Sequence, residues 1–322
     1  MTADPGSPSR PALGLAIAVH NRLALTQACL QSVFACWDTD PFDEIIVVDD
    51  RSTDATAAWL ADRADRLRVL SNVERSGFGA NMNRAAAAAS SEFVVLLNND
   101  TVVAPGWSRA MLREALADQA AVVVGNRQLY FDGASINHAG IVFDHLSRPH
   151  HLHIGEAPDF LPALASRTFQ AVTGACWLVR RQIFLDLGGF DATFRNGYED
   201  IDFCLRAGAA GWRVRYAGDS VIRHHVSASE GRHDHALINE ARFLSRWRGK
   251  VKADLNEFRA RDGLPPFRFR VDELEGSPGG IMRGLRRFRR LRVARGAVDA
   301  LLRVPGAAAV ADLVARRLHR VR

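Results

Sequence analysis

Apolar residues along the first hundred positions come in short unbroken runs, each stopped by a polar cluster and followed by a stretch at helical spacing. Leu13–Val19 (LGLAIAV) ends in His20-Asn21-Arg22 and precedes LALTQACLQSVFAC, whose apolar positions fall on one helical face. Residues 44–48 (EIIVV) end in Asp49-Asp50-Arg51-Ser52-Thr53-Asp54, and a helix is expected over about 55–66, capped by Asp or Ser near 50–53. Residues 67–70 are a third run; the loop Arg75-Ser76-Gly77-Phe78-Gly79-Ala80-Asn81 then leads to a helix expected at 83–89. The fourth run, 93–97 (FVVLL), stops at Asn98-Asn99-Asp100. Runs without alternation are strands covered on both faces. Strands alternating with helices predict right-handed crossovers and a mostly parallel, doubly wound α/β sheet flanked by helices. Ligands bind beyond the carboxyl ends of such strands, so two successive polar clusters fall on the binding edge.

Each cluster has a purely structural reading beside the chemical one. Asn and Asp favour turns through local hydrogen bonds, and acidic residues start helices because the helix dipole stabilises them. Adjacent like charges at Asp49-Asp50 cost energy unless a cation or donor compensates. Further on, Tyr198-Glu199-Asp200-Ile201-Asp202 opens a helix that continues as FCLRAGAAG and stops at Gly208 or Gly211. Carboxylates in a first turn stay ionised, as a general base requires, although the same placement is also an ordinary helix start. Asp202 is spaced to brace Arg206 across one turn. Residues 172–177 (VTGACW) read as an apolar strand whose glycine marks a bulge or a close approach, and Gly188-Gly189-Phe190-Asp191 is a turn presenting the acidic helix.

Composition changes this picture little and charge changes it at one end. A 322-residue chain with 48% hydrophobic and 24% charged residues can bury a sizeable core. The four cysteines, Cys29, Cys36, Cys176 and Cys204, show no CxxC spacing, which suggests a reducing compartment. The first twelve residues read as a disordered leader, and no apolar stretch reaches the roughly 20 residues of a spanning helix. Residues 281–322 hold twelve arginines against two aspartates, so the net charge of +6 belongs to this tail and the remainder is net acidic. Its apolar positions Ile281, Leu285, Phe288, Leu291, Val298 and Leu301 share a helical face, which suits a membrane surface or a partner helix. Nucleic acid is the competing polyanion, but no nucleic-acid-binding fold accompanies the arginines.

The succession VVDDRSTD, SGFGANMNRA, FVVLLNNDT and GGFDATFRNGYEDIDFCLRAGAAGWRV, then His224-His225, resembles a family 2 glycosyltransferase of the GT-A fold over about 13–230. His138-Ala139-Gly140 and His151-Leu152-His153 look most like rhamnosyltransferase-type members. The resemblance implies transfer of a sugar from a nucleotide-sugar donor, with inversion, onto a glycan or polyprenyl-linked acceptor. It implies that His20, Asp50, Arg75, Asn83, Asn99 and Asp100 hold the donor, and that Asp100 and His225 bind a divalent metal, Mg or Mn. It also implies Asp200 as general base, Glu199 orienting it, and Gly174, Trp177 and Tyr198 on the acceptor side. The usual Asp-x-Asp is Asn98-Asn99-Asp100 here, one carboxylate having become an amide. A hard cation needs few protein carboxylates when phosphates supply the other ligands.

The histidines at 138, 145, 150, 151 and 153 lack the cysteines or regular spacing of a zinc site, so an acceptor-side loop is expected. The donor expected is dTDP-rhamnose, with UDP-galactofuranose or another UDP-hexose as alternative. A non-catalytic nucleotide- or glycan-binding module stays open because of the missing carboxylate. A nucleotidyltransferase is disfavoured by the lack of a glycine-rich loop with lysine near 75–83. The expected organisation is a leader over 1–12, a glycosyltransferase domain over 13–245 and a basic helical region over 246–322. The last attaches to the inner face of the cell membrane in the cytoplasm, or packs on the core or across a homo-oligomer.

Overall fold

Whether a strand's neighbours cover one face or both decides how its residues must alternate. In the computed structural model, which describes residues 10–225 and 235–267, both faces of the central strands are covered. The first half runs β1 (Leu13–Val19), α1 (Leu23–Ala35), β2 (Glu44–Asp49), α2 (Thr56–Ala61), β3 (Arg68–Ser71), α3 (Phe78–Ala88) and β4 (Phe93–Asn98). Next come β5 (Thr101–Val103), α4 (Trp107–Ala117), β6 (Ala121–Tyr130), β7 (Ile136–His138), β8 (Ile141–Phe143) and β9 (Pro149–His151). Then follow α5 (Leu161–Leu164), β10 (Arg167–Phe169), β11 (Cys176–Arg180), α6 (Arg181–Asp186), α7 (Glu199–Ala209) and β12 (Arg213–His224). Two helices complete the described chain, α8 (Ala236–Trp247) and α9 (Leu255–Arg261).

The main sheet has the order β10-β12-β6-β11-β4-β1-β2-β3, with β5 on β12 and β7 on β6. Strands β3, β2, β1 and β4 are parallel, as expected. Beyond β4 the sheet is mixed, because β11 enters antiparallel between β4 and β6. Odd positions of β1 (Leu13, Leu15, Ile17, Val19) pack in one core layer with Cys29, Leu30 and Val33 of α1 and Trp107 and Met111 of α4. Ala16 faces the other layer with Ala85 and Ala86 of α3 and Phe203 of α7. Small residues on both sides let α3 lie close to the sheet.

Two expected elements shift. Helix α3 starts at Phe78 rather than near 83, entered through Gly77 at φ 83°. Gly79 belongs to its first turn, where an added Cβ would lie 3.1 Å from that of Phe190. The strand expected over 172–177 begins only at Cys176, and the preceding residues leave the sheet.

Packing also crosses the expected boundary at 245/246. In α8, Arg246 donates to Asp202 at 2.7 Å and to Asp191 at 2.8 Å, and Trp247 Nε1 donates to Asp202 at 2.9 Å. Phe258 of α9 stacks on Phe169 with centroids 4.7 Å apart, and Asp254 accepts the Phe143 N–H at 2.8 Å. Residues 246–267 therefore finish the domain core. The expected leader, apart from Arg10, which pairs with Asp43 at 3.0 Å, Pro11 and Ala12, and the basic tail from 281 lie outside the described residues.

Burial alone would raise the Asp191 carboxyl, but hydrogen bonds from Thr193 and the Arg246 guanidinium outweigh it and bring the pKa from 3.8 down to about 2. A depressed carboxyl contributes stability above its unfolded value, and that contribution is lost as pH falls from about 4 through about 2. Asp191→Asn is expected to cost about 1–2 kcal/mol at pH 7 in urea denaturation, with the difference from wild type vanishing over that acid window.

Candidate active site

Three neighbouring strands, β2, β1 and β4, bring their polar ends to one edge, with Ala18 paired to both Val48 and Asn98. After β1, Asn21 and Arg22 take left-handed φ values of 53° and 57°, turning the chain towards the loop after β2. Asn21 Oδ1 accepts the N–H groups of Thr53 at 2.6 Å and Asp54 at 3.2 Å, stitching the two loops together. His20 Nδ1 lies 2.9 Å from the Asp50 carbonyl. A carbonyl only accepts, so Nδ1 carries the proton.

The Asp50 carboxylate is buried and accepts the Ser76 N–H at 2.8 Å, the Gly77 N–H at 3.1 Å and the Asn72 amide at 2.8 Å. Burial opposes its ionisation, but these donors outweigh it and its pKa falls below the ordinary carboxylate value. The like-charge problem at Asp49-Asp50 is thus solved by backbone donors: Asp49 accepts the Ser52 N–H at 3.0 Å. Arg75 Nε is 4.0 Å from Asp50, with the arginine side chain 57% exposed at the mouth of this loop. Asn83, expected to line the pocket, is tied to the turn before α7. Its amide donates to the Phe190 carbonyl and accepts the Phe190 N–H, both at 2.8 Å, so it holds the glycine turn before α7.

At the end of β4, Asn99, expected on the donor side, donates to Thr26 of α1 at 3.0 Å. Asp100 is 5% exposed. Antiparallel pairing of β12 with β5 sets His224 opposite Thr101 and brings its Nε2 to 3.2 Å from Asp100 Oδ1. His225, the expected metal ligand, instead stacks on Phe131 with centroids 3.4 Å apart, and only its backbone N–H reaches Asp100 O, at 3.0 Å. Strand alternation thus turns His224, and not His225, towards the Asp100 carboxylate.

Asn98 Oδ1 is buried with no hydrogen-bond partner among the described residues. An oxygen acceptor, a carboxylate and an imidazole around one turn fit a divalent cation such as Mn²⁺. No cluster of three or more His, Cys, Asp or Glu side chains that could hold a metal occurs among the described residues, so phosphate oxygens would have to complete the shell. The histidines expected in a loop point three ways: His150 to Asp144 at 3.1 Å, His153 to Asp262 at 2.9 Å and His138 to His151 at 3.1 Å.

Helix α7 begins after Tyr198, at φ 72°. Asp200 Oδ2 accepts the Gly174 N–H at 2.7 Å and lies 3.4 Å from the Thr173 hydroxyl. Gly174 is glycine for a reason of space, since an added Cβ would lie 2.9 Å from that of Asp200. The next residue, Ala175, accepts the Asn98 N–H at 2.9 Å. The Asp200 carboxylate and the Asn98-Asn99-Asp100 turn are therefore held by adjacent residues of one loop.

Glu199 is buried and accepts the Gly197 N–H at 2.5 Å. Asp202 braces Arg206 at 2.9 Å as its spacing predicted, while its bonds to Arg246 and Trp247 had no local signal. Tyr198 lies against Phe243 at 5.0 Å, and burial, then the nearby Glu240, push its phenol up. Trp177, expected on the acceptor side, is fully buried between Phe190 at 5.3 Å and Phe203 at 5.9 Å, and is a core residue.

Residues 15–188 match the family model described as glycosyl transferase family 2. The chain is 30% identical over 226 residues to the O-antigen biosynthesis protein RfbC of Myxococcus xanthus, covering 68% of this chain and 18% of that one. It is 26% identical over 209 residues to the N-acetylglucosaminyl-diphospho-decaprenol L-rhamnosyltransferase of Mycobacterium tuberculosis, covering 58% and 68%. An uncharacterised Sinorhizobium fredii relative is 33% identical. The chain spans about a quarter of that relative's length and under a fifth of RfbC's.

The mannosyltransferase PcManGT of Pyrobaculum calidifontis, solved with GDP-Man and Mn²⁺, superposes with a TM-score of 0.55 at 18% identity, covering 96% of this chain and 80% of that one. That likeness shows the fold, which is GT-A-like. With the family model spanning more than half its length, this chain belongs to glycosyl transferase family 2.

Proposed function

We propose that the chain is an inverting glycosyltransferase of cell-surface polysaccharide synthesis, with Asp200 as the general base. The observation that carries this reading is the junction of Gly174 and Ala175, which ties the Asp200 carboxylate to the turn holding Asn98 and Asp100. His20, Asp50 and Arg75 form the nucleotide end. His20 and Asp50 are rigid because their polar atoms are already engaged, so little order is lost when a donor binds. Asp100 and His224, with Asn98 Oδ1, would hold the cation. When bound, a divalent metal neutralises charge developing on the departing diphosphate.

Asp200 sits in the first turn of α7, where the dipole favours its ionised form. It takes the proton of the acceptor hydroxyl as the new carbon–oxygen bond forms opposite the breaking bond to phosphate, so the configuration inverts. Gly174 N–H keeps one carboxylate oxygen directed, and the buried Glu199 fixes the turn before it. The relatives named for O-antigen synthesis and for L-rhamnosyl transfer to a decaprenyl-linked sugar support a rhamnosyl donor and a polyprenyl-linked acceptor. Among the described residues no helix is long and apolar enough to cross a membrane. The arginine-rich stretch 281–322 would attach the enzyme to an anionic leaflet, each basic residue adding about 1 kcal/mol.

A panel of dTDP-rhamnose, UDP-galactofuranose and UDP-glucose, assayed for nucleoside diphosphate release with Mn²⁺, is expected to show turnover with dTDP-rhamnose. Asp200→Asn should lower it at least about 100-fold while nucleotide binding survives in thermal-shift measurements; undiminished turnover would remove the base assignment. His224→Ala should raise the Mn²⁺ concentration needed by about 10-fold or more, with His225→Ala close to wild type; the reverse order would restore His225 as ligand. Deleting 281–322 should abolish sedimentation with phosphatidylserine-containing vesicles, and unchanged sedimentation would refute membrane attachment through this stretch.

A further inference from the structure

The segment from β7 to β9 takes no part in the donor, metal or base assignments, yet one of its rings is enclosed among backbone amides. His138, the last residue of β7, has no exposed surface. Its Nε2 accepts the Gly140 N–H at 3.2 Å and the Thr173 N–H at 3.4 Å. A ring nitrogen that accepts carries no proton, so the neutral ring is protonated at Nδ1. That Nδ1 lies 3.1 Å from Nδ1 of His151, which therefore accepts, the two rings meeting edge-on at 78°. Burial first, then the neighbouring His151 and His224, hold His138 well below the ordinary histidine pKa. The two amides at Nε2 and the His151 nitrogen at Nδ1 set which end of the ring accepts and which donates.

What His138 grips is the backbone beside the base. The Thr173 amide is followed by that of Gly174, whose N–H reaches Asp200 Oδ2 at 2.7 Å. Residues 172–174 precede β11 and lie outside any strand, and the backbone bond to β4 begins only at Ala175. The β7–β9 segment supplies the fixing instead. Ile141 N–H donates to the Ala171 carbonyl at 3.0 Å. Gly140, at φ 106°, leaves room for the Phe169 ring where a Cβ would collide with it.

We propose that His138, kept in its Nδ1–H tautomer by His151, is a positioning residue for transfer: it fixes the Thr173-Gly174 peptide and thereby the direction of the Asp200 carboxylate. This rests on the reading of Asp200 as general base.

The test uses the full chain and, as probe, the nucleotide sugar that wild type hydrolyses fastest in the panel above. His138→Leu is expected to lower kcat about 10- to 100-fold, with donor KM within about twofold of wild type. His138→Gln, whose amide oxygen can take the Thr173 N–H, should recover most of the loss, which a merely space-filling role would not require. His151→Ala, at an exposed position, should lower kcat about 3- to 10-fold with an unchanged melting temperature, keeping the idea testable if the leucine variant fails to fold. Nitrogen-15 NMR of the wild-type imidazoles should show His138 protonated at Nδ1. Wild-type kcat in His151→Ala, a His138→Leu loss that glutamine does not recover, or a His138 ring protonated at Nε2 overturns the proposal. Undiminished turnover in Asp200→Asn instead overturns the base assignment, and the tautomer measurement tells the two failures apart.

Discussion

A single backbone hydrogen bond, from the Asn98 N–H to the Ala175 carbonyl at 2.9 Å, is the constraint on which the candidate site depends. In an all-parallel sheet only strand carboxyl ends would line the binding edge. Because β11 runs antiparallel to β4, its entry loop arrives where β4 leaves, and the two are pinned together. The turn holding Asn98 and Asp100 continues on one side of that bond and the Gly174 loop on the other. The acidic helix then needs only to dock on Gly174 to tie its carboxylate to the turn proposed to hold the cation.

That docking is secured by buried carboxylates satisfied from far along the chain. Asp202 has no exposed surface and meets Arg206, Arg246 and Trp247. Asp40, 1% exposed, accepts the N–H groups of Gly106 at 2.6 Å and Ser108 at 2.9 Å and so orients α4. Such charges are stable in an interior only when paired and hydrogen-bonded, and removing one partner costs more than the pair contributes. They fix geometry more than they add stability, which is what a site assembled from separate segments requires.

Much of the fold was legible because it is written in local patterns. The runs at 13–19, 44–48 and 93–97 gave β1, β2 and β4, and the parallel half of the sheet followed from their alternation with helices. The start of α3 was misplaced because Gly77 and Gly79 read as loop, whereas Gly79 serves a close helix contact with Phe190. Residues whose position is set by the backbone they follow, such as Asp50 and Asp200, could be placed at the strand edge and the helix start from motif and spacing. Those whose role depends on side-chain direction could not. Trp177 is a core residue because its strand position faces α7, and Asn83 serves Phe190 across 107 residues. His224 and His225 were separable only through the register of β12 against β5. Arg246 carried no signal at all, since its partners lie 44 and 55 residues earlier.

The late position of Arg246 and Trp247 has a consequence for how the molecule comes into being on the ribosome. Helix α7 is translated well before α8, so for that interval the Asp202 carboxylate has Arg206 within its own helix and lacks its two later partners. A nascent chain in that state can hold every residue proposed for donor, cation and base, yet carries an under-compensated charge in the first turn of the helix that bears Asp200. Vectorial synthesis therefore leaves α7 under-braced until α8 has emerged, and a product cut short before residue 246 would keep the candidate residues and lack the two later side chains that hold Asp202.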